Sequence, residues 1–295
     1  MVCFLKLSRL NYHKISKIIQ EEGIIVLEDF CNKDELEALK DEMCNMHAIK
    51  PAFIKTNKNT RGNSFLLNIH PAKVKFSKNG NLLTKEFRKL FNKDSIKKIA
   101  SNYLGQGWGI SNFIYHQASF KEHGKNELFE LHHDNFQNCY CLKGFLYLED
   151  CSIKNGAFRY IPKTHKLVRK FFEIKKKKKL TLNNNLKSLV EFINQNKLVL
   201  KKNQKLISEL VEIVNKPEKS LKYVVEGKAG TLILFDTNGI HGGVSVSKGY
   251  RKIARFHLVD RKYRFWNHPE QENFIFGIIS RILRKLKNFF NKKLN

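Results

Sequence analysis

The stretch Leu131-His132-His133-Asp134 decides how this chain is read, together with Gly239-Ile240-His241-Gly242 and Gly249-Tyr250-Arg251-Lys252. Residues i and i+2 of a strand point to the same face, so His132 and Asp134 can bind one ion together. His133 then points to the opposite face and reads as a structural residue. His241 comes from far along the chain as a third donor. It is flanked by glycines, and close packing at a metal would account for them. Two histidines and one carboxylate on one face leave three octahedral positions open, the donor pattern of non-haem Fe(II) sites. Arg251 lies ten residues after His241. Its planar guanidinium suits the carboxylate of an organic co-substrate, with which it can form two parallel charge-assisted hydrogen bonds.

The composition sets the frame for that site. Of the 295 residues, 42% are apolar and 23 are Phe, ample for a sizeable core. Lys and Arg number 55 against 27 Asp and Glu, a net charge of +28. Such an excess favours anionic partners, whether nucleic acid, lipid surface or substrate. Much of it falls in runs such as Lys175–Lys179 rather than among aromatic residues, so a solvated basic surface accounts for it and a nucleic-acid partner is not expected. The six cysteines, at 3, 31, 44, 139, 141 and 151, form no CxxC pair and no zinc spacing. With Lys6 and Arg9 interrupting the first ten residues there is no signal-peptide core, and scattered thiols then read as reduced and cytoplasmic. No apolar run approaches the roughly 20 residues that a membrane span needs.

Periodicity orders the chain as helices first, then many short strands. Helices are expected over 12–21, from an Asn32 cap to about Met46, and over 82–103 with a break at Asn92-Lys93-Asp94. Gly23–Leu27 reads as a buried strand. Residues 50–80 read as irregular loops. Strands are expected at 110–119, 128–134, 139–149, 157–161, 221–225, 231–235, 241–247 and 253–259, with Asn155-Gly156 as a turn. Between them, residues 165–222 look like an insertion, with helical stretches at 186–193 and 206–214. This order fits an α+β chain whose strands form a jelly-roll barrel, with a helical layer at the N-terminal side.

Taken together these blocks resemble the phytanoyl-CoA dioxygenase family of iron- and 2-oxoglutarate-dependent oxygenases, over roughly residues 20–260. The resemblance is carried by Gly23-Ile24-Ile25-Val26-Leu27-Glu28-Asp29-Phe30 and by Leu131-His132-His133-Asp134. It continues through Asn155-Gly156-Ala157-Phe158, Pro162-Lys163-Thr164-His165-Lys166, Gly230-Thr231, His241-Gly242 and Gly249-Tyr250-Arg251-Lys252. It implies a double-stranded β-helix (a cupin-like jelly-roll barrel) over 1–262, with 165–222 as a helical Lys/Asn-rich insertion. His132, Asp134 and His241 would be the catalytic Fe(II) ligands. Arg251 would hold the distal carboxylate of 2-oxoglutarate, and Phe145 would line that co-substrate's pocket. The implied reaction uses O2, releases succinate and CO2, and hydroxylates an unactivated C–H bond of a small-molecule or lipid-like substrate; the positive charge favours an anionic one. Gly243 stands where some members carry a hydroxyl residue that touches 2-oxoglutarate. A different class of reading is an inactive dioxygenase scaffold serving as a basic membrane-peripheral or nucleic-acid-binding protein, against which the intact triad and Arg251 argue.

Three features stay open at this level. Arg255 shares a strand face with Arg251 and is either a second anion-binding residue or half of a surface ion pair. His165 lies near the site or stabilises a turn. Residues 263–295 form a basic tail, in which Ile275, Ile278, Ile282, Leu286 and Phe289 fall on one helical face. That face suits either an anionic membrane surface, making the protein peripheral there, or packing on protein. The insertion is expected to cover the pocket mouth, with Lys175–Lys179 exposed and mobile.

Overall fold

Helix signals in the sequence act where they stand. In this computed structural model, which describes residues 4–6, 11–49, 54–56, 65–69, 84–119, 130–134, 140–178, 185–195 and 203–260, Asn11 caps α1 (Tyr12–Glu22) by accepting from the His13 amide at 2.9 Å. Asn32 and Glu35 exchange side-chain and backbone hydrogen bonds of 2.9 and 3.1 Å, a capping box that starts α2 (Lys33–Ile49). The 82–103 segment forms α3 (Lys85–Asn92) and α4 (Asp94–Leu104), broken at Lys93.

Eight strands make the large sheet: β1 (Phe4–Lys6), β2 (Ile24–Glu28), β3 (Ile54–Thr56), β4 (Phe65–Ile69), β5 (Gly109–Ser119), β6 (Cys141–Tyr147), β9 (Leu232–Asp236) and β11 (Tyr250–Val259). Their spatial order is β1-β2-β9-β6-β11-β5-β4-β3. A second sheet has the order β10-β7-β8, from β7 (Phe158–Tyr160), β8 (Val224–Val225) and β10 (His241–Gly243). Alternation along each strand divides the large sheet's two faces. Ile25, Leu27, Leu142, Leu146, Leu232, Leu234, Ala254 and Phe256 face the helices and meet Leu39, Met43, Phe87, Ile96 and Ile99. Ile24, Val26, Phe145, Tyr147, Ile233, Phe235 and Ile253 face the other way and pack with Phe158, Tyr160 and Val225 of the small sheet. Each such side chain contributes about 1.5–3 kcal/mol on burial, so both faces are firmly committed and the register is fixed. The architecture is therefore mixed helix and sheet around one large sheet, with the small sheet facing it.

The segment after β7 folds as α5 (Thr164–Lys178), α6 (Leu186–Gln195), α7 (Gln204–Asn215) and a 3₁₀ turn at Pro217–Tyr223. These helices have their own apolar cluster of Leu167, Val168, Phe171, Phe172, Leu189, Phe192, Ile193, Leu210 and Ile213. It is joined to the site region by Ile161, Ile240 and Leu131.

Several expectations need correction. Residues 128–134 do not form a regular strand in the described part; His132 makes isolated bridges to His241 and to Asn185. Residues 54–56 and 65–69, read as irregular, are strands that extend the β5 edge of the sheet. The insertion opens with a further helix that was not expected, and Lys175–Lys178 belong to it. The strand expected at 221–225 is mostly 3₁₀ turn, and the one at 241–247 ends at Gly243. The tail 263–295 and the apolar face proposed on it lie outside the described residues. No helix among those described is long and apolar enough to cross a membrane.

Candidate functional site

The two histidines meet because their backbones pair. His132 and His241 exchange both bonds of an antiparallel bridge, His132 N–H to His241 O at 2.9 Å and His241 N–H to His132 O at 2.7 Å. Directly opposed residues share a face, and the two imidazole centroids are 4.5 Å apart. Two residues on, the Asp134 amide donates to Thr237 O at 2.9 Å, which fixes the carboxylate beside the pair. Nε2 of His132 and Nε2 of His241 each lie 3.8 Å from Asp134 Oδ1, and one donor atom from each residue falls within 4.8 Å of the other two. A first-row ion binds such donors at about 2 Å, so the three draw in slightly to close on one.

The hydrogen bonds select the tautomer that a metal requires. His132 Nδ1 donates to Glu130 O at 2.7 Å and His241 Nδ1 donates to Gly239 O at 2.8 Å, since a carbonyl can only accept. Both rings therefore direct Nε2 toward Asp134, as metal-ligating histidines do when the other ring nitrogen is tied to a carbonyl. His241 Nε2 is buried and makes no hydrogen bond. Burial, then the neighbouring His132, pushes the His241 imidazolium well below its ordinary range, so the ring is neutral and ready to coordinate. Burial alone would raise the Asp134 carboxyl. Lys143, whose Nζ lies 2.6 Å from Oδ2, and then His241 outweigh that effect and hold it below the usual carboxylate range. Oδ1 thus faces the histidines while Oδ2 is held by an ammonium. Two imidazoles and one ionised carboxylate fit Fe(II).

The flanking glycines have a more specific cause than metal packing. A Cβ at Gly242 would sit 2.7 Å from the Glu130 carbonyl oxygen, and one at Gly239 would sit 2.0 Å from the Tyr160 hydroxyl. They admit the backbone that carries His132 and the ring that supports the turn before His241.

Arg251 lies on the interior face, buried, with Nη1 donating to Gly156 O. Phe145 lies on the same wall, packed edge-on to Phe158 and Phe235 at 5.0 and 5.2 Å. Arg255 is the cross-strand partner of Phe145, so it too faces inward and is no surface residue. Gly243 offers its carbonyl to Arg159 Nη2 at 2.6 Å. His133 turns away, fully buried against the Phe172 edge at 5.2 Å. His165 ties α5 to α1 by a 3.1 Å contact with Gln20 O and takes no part in the site. The residue that sequence reasoning missed is Lys143. Its signal was present: a lone lysine in the buried run Cys141–Tyr147, on the same face as Phe145.

A two-histidine, one-carboxylate cluster carried between two facing sheets is the arrangement of a non-haem iron oxygenase. The chain belongs to the phytanoyl-CoA dioxygenase family, whose model matches residues 19–253, and with that membership it is an Fe(II)- and 2-oxoglutarate-dependent enzyme. No curated protein matches the sequence. Among solved structures, the epimerase SnoN in complex with Fe3+, alpha-ketoglutarate and nogalamycin RO is 12% identical, with a TM-score of 0.54 over 84% of this chain and 83% of that one. The alpha-ketoglutarate-dependent carbocyclase SnoK from nogalamycin biosynthesis is likewise 12% identical, with a TM-score of 0.54 and coverages of 84% and 83%. HygX from Streptomyces hygroscopicus, with nickel and 2-oxoglutarate bound, is 16% identical, with a TM-score of 0.51 over 86% and 88%. These likenesses concern the fold.

Proposed function

We propose that this protein is a hydroxylase of that family, acting on an unactivated C–H bond of a small-molecule or lipid-like substrate. The reading takes residues 1–262 as one oxygenase domain on a double-stranded β-helix, with 165–222 inserted and 263–295 as a basic tail. It rests on one observation above the others: His132 and His241 turn hydrogen-bond-fixed Nε2 atoms to the same Asp134 oxygen. With Fe(II), 2-oxoglutarate and O2 bound there, oxidative decarboxylation releases succinate and CO2 and supplies the oxidising power for hydroxylation.

The chain's own residues do the remaining work. Glu130 O and Gly239 O orient the two imidazoles. Lys143 orients Asp134 so that Oδ1 serves as the third donor. Arg251 holds the distal carboxylate of 2-oxoglutarate, for which its fork is suited. Phe145, Phe158 and Phe235 wall the interior and keep water from the reacting centre. The insertion reaches the segment that carries His132 and Asp134, because Asn185 bridges His132 and the Leu186 amide donates to Leu131 O at 3.0 Å. That contact supports a role at the pocket mouth and in substrate choice.

Similar folds are described as an epimerase and a carbocyclase, so the outcome at carbon needs a direct test. The protein is incubated with Fe(II), 2-oxoglutarate and a substrate panel, with succinate followed by NMR and products by mass. Succinate matched by a product one oxygen heavier is expected. An isomeric or dehydrogenated product would overturn hydroxylation while leaving the cofactors in place. Asp134→Ala should abolish coupled turnover, and unchanged turnover would show that the ligand assignment is wrong.

A further inference from the structure

On the interior face of β11, Arg251 is followed at i+4 by Arg255, with Ile253 between them. The neighbouring strands fix what surrounds Arg255: Phe145 of β6 on one side and Ile114 of β5 on the other, all on one face. Two residues further on, His257 pairs with Lys143, the residue that holds Asp134. Arg255 therefore stands between the co-substrate arginine and the metal ligands. Electrostatics gives the same placement: burial pushes its guanidinium down to about 10, Asp134 raises it and Arg251 lowers it further. At neutral pH it remains charged.

Charge balance on this wall is the central point. Lys143 cancels Asp134. Fe(II) and the 2-oxoglutarate dianion cancel each other. Two guanidiniums remain, and one distal carboxylate engages one of them. Among the described residues no hydrogen-bond acceptor meets the buried Arg255 Nε. The nearby His116, buried among the two arginines and pushed well below its ordinary range by burial and then by their charge, adds no anion. A partly buried guanidinium facing a reaction site without an anion is costly unless a ligand supplies one.

We propose that Arg255 is a substrate-binding residue, and that the substrate carries an oxyanion, phosphoryl or carboxylate, a short distance from the carbon that reacts. This inference rests on the functional reading above, in which Arg251 serves 2-oxoglutarate. It narrows the substrate class to anions and gives the enzyme a fixed orientation for them, since a forked guanidinium binds an oxyanion in a defined plane.

The test uses the full chain loaded with Mn(II) and 2-oxoglutarate, so that binding is read without turnover. Calorimetry follows 2-oxoglutarate itself, then inorganic phosphate and acetate titrated into the loaded protein. Wild type should bind one of the two probes, and which one it prefers distinguishes a phosphoryl from a carboxylate substrate. Arg255→Gln should weaken that probe at least tenfold and leave 2-oxoglutarate affinity within about twofold, whereas Arg251→Gln should do the reverse. Arg255→Lys, which keeps the charge, should fall between wild type and Arg255→Gln for the probe and guards against a folding defect. Failure of both probes, or a probe affinity unchanged in Arg255→Gln, overturns the proposal. So does loss of 2-oxoglutarate in Arg255→Gln, since both arginines would then serve a single carboxylate. A wild type that cannot bind 2-oxoglutarate overturns the functional reading itself, and this inference with it.

Discussion

A lysine inside a strand of buried residues is costly unless an anion meets it, and at Lys143 that anion is Asp134, a proposed metal ligand. The pair explains how Asp134 stays ionised in a buried site and which of its oxygens is available. Groups that orient metal ligands typically account for a 10–100-fold change in affinity. Lys143→Met keeps the aliphatic length and removes the charge. It should weaken Mn(II) binding by about that factor, read by electron paramagnetic resonance, while Lys143→Arg recovers part of the loss. Equal affinity in Lys143→Met would show that Asp134 needs no such partner. That His132, Asp134 and His241 cluster and that Arg251 turns inward was legible in the sequence, because metal and carboxylate chemistry admit few residue types and the order of the motifs carries the rest. Lys143 stood out only as a lone lysine in an apolar run, and nothing in that run points to the carboxylate nine positions earlier. Arg255 was ambiguous for a related reason: shared strand parity gives a face but does not say which face is inside.

At the scale of elements, two buried carboxylates tie helices to the sheet. Glu42 of α2 accepts from the Glu86 and Phe87 amides at 2.7 and 3.1 Å, capping the first turn of α3, and from the Tyr115 hydroxyl at 2.8 Å. Burial pushes its carboxyl up from 4.5 to about 7 in spite of those donors. A raised folded-state value means that the folded protein binds the extra proton between about 4.5 and 7, so this group's contribution to stability falls as pH rises through that window. The full effect is about 3 kcal/mol. Glu42→Gln should flatten the pH dependence of urea unfolding between pH 5 and 8, and an unchanged slope would assign it to other groups. Asp236, fully buried at the end of β9, receives the Arg169 guanidinium of α5 and the Tyr103 hydroxyl on one oxygen. Its other oxygen accepts from the Asn238 amide at 2.9 Å, and its carbonyl accepts from the Gly239 amide at 3.1 Å. That turn supplies the Gly239 carbonyl that orients His241. Arg169→Ala should therefore cost about 3 kcal/mol in denaturant unfolding, because a buried charge loses its partner. It should also weaken metal binding, and a stability loss with intact metal affinity would separate the clamp from the site. The sequence concealed α5: its apolar residues Leu167, Val168, Phe171 and Phe172 are spaced for a helix face, but they run into the lysines, and only the two later helices of the insertion were read. β3 and β4 escaped because strands of three and five residues carry little alternation to detect.

The whole molecule combines an oxygenase site with a net charge of +28, and the excess is distributed in a way that bears on where the enzyme works. Part of it faces the interior, where Arg251, Arg255 and Lys143 belong to the site. A separate block lies in the tail, where Arg281, Arg284, Lys285, Lys287, Lys292 and Lys293 occur in 273–295 with no acidic residue. Each basic residue near an anionic bilayer contributes about 1 kcal/mol, and that attraction is screened by salt. Apolar residues at helical spacing in the same segment would add burial at the interface. The tail is therefore proposed to bring the enzyme to anionic membrane surfaces, a placement that suits a lipid-like substrate bearing an oxyanion. Co-sedimentation with vesicles containing phosphatidylserine should be strong at low salt, weaken as salt rises, and be absent with uncharged vesicles. A chain ending at residue 272 should lose vesicle binding yet keep 2-oxoglutarate binding, because the proposed site residues lie between His132 and Arg255. Equal sedimentation of the full and shortened chains would move the membrane contact elsewhere. Loss of 2-oxoglutarate binding in the shortened chain would instead make the tail part of the fold.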